Sequence, residues 1–280
     1  MRFQFLTLQV IWAIGCSMIA LAGLVFLPRN VIAAVALVMI CGHNLLDGVR
    51  AEQLGGFSWL WTLLHEPGML PPVAGRNIFA LYPLVPWVGV MAAGYALGPV
   101  MQLDARRRRA ALVNVGIALS VLFIVLRGTG VYGDPADMVV HDTAWATFLS
   151  ILNCEKYPPS LLYLAMTLGP ALIALALLDA ARGPVANIFM TLGRVPFLYY
   201  VAHIYLIHAL AIAVAARTGG GRDIGWLFSG TGLMNKPPQF GFALPIIYAI
   251  WLAVVALLYP LCRWFAGVKQ RRKDWWLSYL

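Results

Sequence analysis

Residues 193–208, GRVPFLYYVAHIYLIH, place two histidines inside a run that is long and apolar enough to cross a bilayer. An ionisable side chain at membrane depth is costly unless it has a partner or faces a water-filled cavity. One interpretation is that the imidazoles of His203 and His208 are neutral and hydrogen-bond neighbouring helices. The other is that they line a polar site between helices, open to one side of the membrane.

The composition excludes a soluble globular domain. Hydrophobic residues make up 61% of the chain and charged residues 11%, whereas soluble domains carry about half and about a quarter. We therefore expect a polytopic membrane protein. Its four cysteines are scattered, so the sequence offers neither a disulfide framework nor a CxxC metal site, and we expect no metal.

Apolar runs predict the membrane spans. Seven runs are long enough to cross roughly 30 Å of hydrocarbon. They lie at 6–27, 30–46, 78–101, 110–126, 158–178, 188–216 and 241–266. The predicted fold class is all-α, a single transmembrane bundle of about seven helices over residues 1–280. The predicted outer loops are 47–77, 127–157 and 217–240.

Basic residues predict the orientation of the bundle. If the RRRR run at 106–109 is cytoplasmic, its side of the membrane carries twelve basic and three acidic residues, and the other side carries eight of each. This asymmetry follows the positive-inside rule and places the C-terminus in the cytoplasm. Such a distribution argues against nucleic acid as a partner. We interpret the run as a topological anchor, with a landing patch for phosphate groups as the alternative; its members are Arg106, Arg107, Arg108 and Arg109.

Polar residues that could do chemistry gather on the predicted outer side. His43 and Asp47 are spaced i, i+4 and would share a helix face. They either end the helix as interfacial polar residues or form a histidine base oriented by a carboxylate. The adjacent pairs at 65–66 and 141–142 are weaker candidates, because neighbouring side chains diverge on a helix or a strand.

Two outer segments supply candidate substrate-binding residues. Tyr132 and Asp134 follow the fourth span, and Lys156 and Tyr157 precede the fifth. A lysine just above the membrane could hold an anionic or sugar substrate. Asp134 could instead cap a turn before Pro135.

Seven blocks carry a resemblance to a known family. They are LQVIWAIGCSMIALA at 8–22, GHNLLDGV at 42–49, YPLVPWVGVMAAGYALGP at 82–99, LRGTGVYGDP at 126–135, LNCEKYPPSLLYLAMTLGP at 152–170, GRVPFLYYVAHIYLIH at 193–208 and YPLCRWF at 259–265. In this order the chain resembles bacterial membrane proteins with a heparan-alpha-glucosaminide N-acetyltransferase-like catalytic domain, and the resemblance covers nearly all of it.

The resemblance implies an activity. Better-understood relatives pass an acetyl group from cytoplasmic acetyl-CoA to an amino sugar on the far side of the membrane. It therefore implies acetyl-CoA as the donor, an amino sugar or glycan as the acceptor, and a multi-pass protein among the lipids of the cell inner membrane. A homodimer is one option for assembly.

The resemblance also implies N-terminal helices that we expect this chain to lack. They would carry an Arg-Gly block after an Asp, followed by an outer-side histidine that serves as the base. No residue here matches that histidine, so the catalytic residue is left open among His203, His208, His43 and Asp47. The alternative to an acyltransferase is a non-catalytic membrane protein, or a transporter whose intramembrane histidines relay protons or contact substrate.

Overall fold

The computed structural model of the chain describes residues 5–217, 225–228, 240–272, 274–275 and 277. Two compact units make up the chain: residues 4–180, and residues 181–280 together with residues 1–3. We call them the N-terminal unit and the C-terminal unit and describe each by itself.

Seven α-helices form most of the N-terminal unit. They are α1 (Val10–Leu24), α2 (Arg29–Gly42), α3 (Ser58–Leu64), α4 (Leu84–Leu97), α5 (Ala105–Thr129), α6 (Ala144–Leu152) and α7 (Leu161–Leu178). Short 3-10 turns extend or join these helices at His43–Leu46, Ala51–Phe57 and Gly98–Gln102. Because His43 starts such a turn at the end of α2, its spacing to Asp47 is not that of a regular α-helix.

Three α-helices form the described part of the C-terminal unit. They are α8 (Pro184–Arg194), α9 (Pro196–Arg217) and α10 (Leu244–Arg271), with a 3-10 turn at Gly225–Phe228. In this unit Val195, Cys262 and Phe265 belong to a buried apolar cluster where α10 packs against the α8–α9 junction.

Six helical segments are long and apolar enough to cross a membrane by length and composition. They are Arg29–Leu46, Leu84–Gln102, Ala105–Thr129, Leu161–Leu178, Pro196–Arg217 and Leu244–Arg271. Helix α1 is also apolar but has only 15 residues. Apolar side chains such as Ile19 and Leu177, each about three-quarters exposed, suit a lipid environment. The predicted all-α membrane bundle is confirmed.

Small residues let the helices of the N-terminal unit approach each other closely, as in membrane bundles generally. A Cβ on Gly116 of α5 would lie 2.7 Å from the carbonyl oxygen of Gly169 on α7, and one on Gly89 of α4 would lie 2.9 Å from Cβ of Met39 on α2. At these glycines the backbones of α5 and α7, and those of α2 and α4, are thereby packed closely against each other.

A small sheet is an addition that the sequence did not predict. Strands β1 (Phe5–Leu8), β2 (Gly68–Val73) and β3 (Arg76–Ala80) pair in the order β1-β3-β2, with β1 parallel and β2 antiparallel to β3. Ala74 and Gly75 join β2 to β3 with positive φ angles of 51° and 74°, the conformation of a tight hairpin turn. The predicted outer loop 47–77 is therefore largely structured.

The range predicted as one span at 188–216 is divided into α8 and α9. Pro196 starts α9, and a proline disfavours helical conformation in the residue before it; Val195 accordingly has φ −133° and ψ 48°. The predicted loop 127–157 contains the end of α5 and all of α6. Most of the predicted loop 217–240 lies outside the described residues.

Candidate functional site

A polar cavity of about 420 Å³ lies in the N-terminal unit, beside the end of α2. We call it the polar cavity. Its wall comes from segments that the chain brings together from far apart. The lining residues are Asn44, Asp47, Val49, Arg50, His65, Glu66, Pro67, Pro135, Glu155, Tyr157 and Pro158.

His65 and Asp47 form a contact at the wall of this cavity. His65 directly follows α3, and its backbone N–H donates to the carbonyl of Trp61 at 2.7 Å. Its Nε2 lies 3.2 Å from Oδ1 of Asp47. Its ring contacts that of Trp61, with ring centroids 5.0 Å apart. The imidazole is therefore held by backbone, carboxylate and indole together.

Asn44 fixes the other carboxylate oxygen of Asp47. Its Nδ2 donates to Oδ2 of Asp47 at 2.8 Å, and its Oδ1 accepts from the backbone N–H of Leu161 at 2.9 Å. That N–H belongs to the first turn of α7, where helical N–H groups have no partner within the helix. One amide thus ties the carboxylate to the start of another helix.

His43 lies next to this pair but is not bonded to it. The residue is only 2% exposed, and its ring is 5.8 Å from that of His65, edge to face. Neither of its ring nitrogens has a hydrogen-bond partner in the described part of the chain, and the same holds for Nδ1 of His65. An unpaired buried polar group costs about 1–3 kcal/mol of folding free energy, so leaving these nitrogens without partners destabilises the fold.

The charges around the polar cavity are mostly negative. Three carboxylates, from Asp47, Glu66 and Glu155, face one guanidinium, from Arg50. Burial alone would raise the pKa of Asp47, but the hydrogen bonds from His65 and Asn44 outweigh burial, so the pKa lies below its usual value. An ionised carboxylate in an acidic cavity attracts a cation or a protonated amine.

Among the predicted substrate-binding residues, Tyr157 lines the polar cavity. Its hydroxyl lies 3.3 Å from that of Tyr82, and the hydrogen bond with Tyr82, helped by nearby Lys156, lowers its pKa. The ammonium of Lys156 lies 5.1 Å from the centre of the Tyr157 ring. Tyr132 donates its hydroxyl to the carbonyl of Cys41, which joins the end of α2 to the loop after α5.

Asp134 is buried and engaged in contacts within its loop. One oxygen accepts from the backbone N–H of Ala136, and the other accepts from Glu155 N and Ser160 Oγ. Such contacts fit the turn-capping alternative. They hold in place the segment that carries Glu155 and Tyr157, and a substrate-binding role for Asp134 stays a prediction.

The four arginines lie at the other end of α5. Arg108 and Arg109 both contact the carboxylate of Asp179 at the end of α7, at 2.8 and 3.3 Å. Asp104 accepts from the backbone N–H of Arg107 and so caps the start of α5. Arg106 and Arg107 have exposed side chains. We call this end the basic end; α5, at about 1.5 Å per residue, separates it from the polar cavity.

The two histidines of α9 belong to the C-terminal unit. Nδ1 of His203 lies 3.1 Å from the carbonyl of Tyr199, one turn back on the same helix, and the two rings are stacked. His208 meets Phe228 edge to face, with ring centroids 5.8 Å apart. Both side chains are half-buried, and their catalytic candidacy stays a prediction.

His65 contacts Asp47 at the cavity, although the sequence ranked it below His43 and Asp47 as a candidate. As predicted, the side chains of His65 and Glu66 diverge, since Glu66 accepts from the backbone N–H of Ala51 and from Arg50. Asp47, the partner of His65, lies in a different segment, and no local spacing reveals such a pair. With His43, these two residues also form a group whose potential ligand atoms lie within 4.8 Å of one another.

The comparisons with known proteins agree with the resemblance seen in the sequence over residues 1–132 only. The sequence model of the family described as heparan-alpha-glucosaminide N-acetyltransferase, catalytic, matches residues 1–132. No curated protein and no solved structure matches the chain. The matched range includes seven of the eleven residues that line the polar cavity. Residues 1–132 of this multi-pass membrane protein, slightly less than half of the chain, therefore match the heparan-alpha-glucosaminide N-acetyltransferase catalytic family, whose members use acetyl-CoA as donor.

Proposed function

We propose that the protein transfers an acetyl group from cytoplasmic acetyl-CoA to the amine of an amino sugar or glycan, and that the acceptor binds in the polar cavity. The observation that carries this proposal is the Asp47–His65 contact in the wall of an acidic cavity. The family match supports the reaction class, and the cavity supports the kind of acceptor.

The polar cavity suits a small polar acceptor. Its volume falls within the roughly 300–1,000 Å³ of small-molecule sites. Three carboxylates would attract the ammonium form of an amino sugar, while Arg50 and Tyr157 offer donors to ring hydroxyls. Tyr157, which lines the cavity and meets Tyr82 edge to face at 5.0 Å, also offers an aromatic ring against which a sugar can pack.

The reaction needs a group that accepts a proton. The amine nitrogen attacks the thioester carbonyl, the C–S bond breaks, and CoA leaves as its thiol after taking up a proton. The amine must lose a proton for its lone pair to attack, and the Asp47–His65 pair is placed to receive it. Asp47 would hold the imidazole in orientation, as carboxylates do for catalytic histidines.

The basic end suits the donor. Acetyl-CoA carries phosphate groups, and arginine binds phosphate through paired N–H donors. Arg106 and Arg107 are the members of the run whose side chains are exposed, since Arg108 and Arg109 contact Asp179. We therefore assign the first contact with the donor phosphates to the first two arginines, as a landing patch from which the thioester end must move toward the polar cavity.

The experiment is acetyl transfer by the purified chain in detergent, with radiolabelled acetyl-CoA and glucosamine as acceptor. We expect Asp47→Asn to lower kcat by about 10²–10⁴-fold, and Glu155→Gln to raise the acceptor KM while kcat changes little. Asp142→Asn, a change at an exposed carboxylate outside the cavity, is the matched control and should behave as wild type. Full activity in Asp47→Asn, or no transfer to any amine by the wild-type chain, would overturn the proposal.

A further inference from the structure

His43 and His65 are buried beside the half-buried Asp47, and most of their ring nitrogens lack a hydrogen-bond partner in the described part of the chain. His43 and His65 are 2% and 3% exposed. A neutral imidazole offers one donor and one acceptor. Three of the four ring nitrogens have no hydrogen-bond partner in the described part of the chain, and the fourth, Nε2 of His65, contacts Asp47. The backbone of Pro159 lies near the His43 ring but makes no hydrogen bond of normal geometry with it.

The spacing of the group matches a metal site. One ligand atom from each residue lies within 4.8 Å of the other two. Tetrahedral zinc with bonds of about 2.0–2.1 Å holds its ligand atoms roughly 3.4 Å apart, and Nε2 of His65 lies 3.2 Å from Oδ1 of Asp47. We propose that His43, Asp47 and His65 bind a divalent transition metal ion, Zn²⁺ foremost, with one nitrogen from each ring and one oxygen from the carboxylate.

The ligand types narrow the choice of metal. Two imidazoles and one carboxylate suit Zn²⁺, Fe²⁺ or Mn²⁺, whereas Ca²⁺ and Mg²⁺ prefer a full set of oxygen ligands. Zn²⁺ binds such nitrogen-containing sites more tightly than Mn²⁺ or Fe²⁺ do. Because the group has no thiolate, a cuprous ion is disfavoured.

The surroundings orient the ligands as in known metal sites. Asn44 donates to Oδ2 of Asp47 and leaves Oδ1 directed at His65. Trp61 contacts the His65 ring, and its Nε1 is fixed by the carbonyl of Val49 at 2.9 Å. Such outer contacts set the rotamer of a ligand and contribute to metal affinity. Two of the three ligands, Asp47 and His65, are thus arranged before the ion arrives.

Three protein ligands leave a fourth position open. Asp47 and His65 line the polar cavity, so water or a cavity ligand would complete the coordination, as in catalytic rather than structural zinc sites. The neighbouring carboxylates of Glu66 and Glu155 favour a cation there. A bound ion would occupy Nε2 of His65 and Oδ1 of Asp47, so proton acceptance by this pair in the proposed acetyl transfer refers to the metal-free chain. The metal site therefore goes beyond the proposed function, and its occupancy is measured without any activity assay.

The test uses the full chain, purified without a histidine tag and stripped with a chelator. Titration with Zn²⁺ should give one tight site per chain. We expect Asp47→Asn and His65→Gln each to weaken Zn²⁺ binding at least ~100-fold, and Asn44→Ala to weaken it ~10–100-fold because it releases the carboxylate. His141→Gln changes an exposed histidine outside the group and should bind as wild type.

Two further measurements keep the result decisive. Elution and melting of the metal-free variants establish that each one folds. Co²⁺ added to the wild-type chain should give the intense visible bands of a four-coordinate ion, which does not depend on any variant. Absence of stoichiometric Zn²⁺ binding by the wild type, an octahedral Co²⁺ spectrum, or unchanged affinity in both Asp47→Asn and His65→Gln would overturn the site.

Discussion

Oδ1 of Asp47 and Nε2 of His65 are 3.2 Å apart, although the two residues belong to different segments on either side of α3. Asn44 adds a second hydrogen bond to the same carboxylate. Because both contacts favour the ionised form, they link the stability of the N-terminal unit to pH.

Acidification should remove the contribution of Asp47 to stability. The pKa of its carboxyl in the folded chain lies below the model-compound value of 3.8, so the ionised carboxylate stabilises the fold above that value. The contribution is lost as the pH falls through the lower, folded-state pKa. We expect Asp47→Asn to melt below wild type near neutral pH, and the difference to close in acid.

The measurement is thermal unfolding of both chains in detergent with EDTA, from about pH 7 to about pH 3. EDTA keeps a bound metal from contributing. Asp142→Asn serves as the control, because its exposed carboxylate should leave the melting temperature close to wild type throughout. A difference that stays constant on acidification would contradict the assignment of the effect to the carboxylate.

Arg127 should be among the most sensitive positions for stability. Its side chain is 4% exposed, and it donates to four backbone carbonyls at the end of α6 and in the preceding loop. The acceptors are Ala136, Ser150, Ile151 and Asn153, at 2.7–3.1 Å. Arg127→Met would leave these carbonyls without their donor, so we expect a loss of roughly 3–5 kcal/mol of unfolding free energy.

Two variants bracket the Arg127 prediction. Arg127→Lys keeps the charge but loses the planar set of donors, so it should be intermediate. Arg106→Met, at the exposed end of the same helix, should stay within about 0.5 kcal/mol of wild type. Thermal melting in detergent gives the order of stability of the variants. Equal stability of Arg127→Met and Arg106→Met would rule out a structural role for Arg127.

The close packing of α5 and α7 should tolerate no added methyl at Gly116. A Cβ there would meet the carbonyl oxygen of Gly169 and Cγ1 of Ile173, both at 2.7 Å. Backbone atoms cannot yield as a flexible side chain can, so we expect Gly116→Ala to cost about 1–3 kcal/mol. Gly128→Ala in the same helix meets nothing within 4 Å and should be neutral or stabilising by up to about 1 kcal/mol. The measurement is the unfolding free energy of both variants in the same detergent, and it shows whether the added methyl at Gly116 clashes with α7.

The fold was largely predictable because membrane-spanning helices can be identified from the length and apolar composition of their sequence runs. What escaped prediction depends on contacts between distant segments. Strand β2 contains Pro71 and Pro72, which argue against a strand in sequence reasoning, and its pairing with the distant strand β3 stabilises it. The division before Pro196, by contrast, had a local signal in the proline itself.

The candidate site was predictable only in part. His43, Asp47 and Tyr157 were identified from their predicted depth and side of the membrane, and the structure places all three at or beside the polar cavity. His65 was not ranked with them, because its partner is set by the approach of α3 to the end of α2. Periodicity within a segment carries no information about such a contact.

The orientation of the bundle is testable at the two ends of α5. The arginine run lies at the start of this helix, and the loop with Asp142 follows its end. Arginines are retained on the cytoplasmic side during insertion, so Arg106 should face the cytoplasm and Asp142 the opposite side. Cys154, a native cysteine in the same predicted outer segment as Asp142, is first replaced by serine. In this background we expect an impermeant maleimide to label Asp142→Cys in intact cells. Arg106→Cys should react only after the membrane is opened.

The background chain without an added cysteine controls for labelling of the native thiols. Labelling of Arg106→Cys from outside would reverse the orientation. Acetyl-CoA in the cytoplasm would then meet the polar cavity rather than the basic end, and the assignment of donor and acceptor sites would have to be exchanged. The same two variants therefore test both the topology and the direction of the proposed transfer, because α5 separates the arginines from the cavity by most of a bilayer.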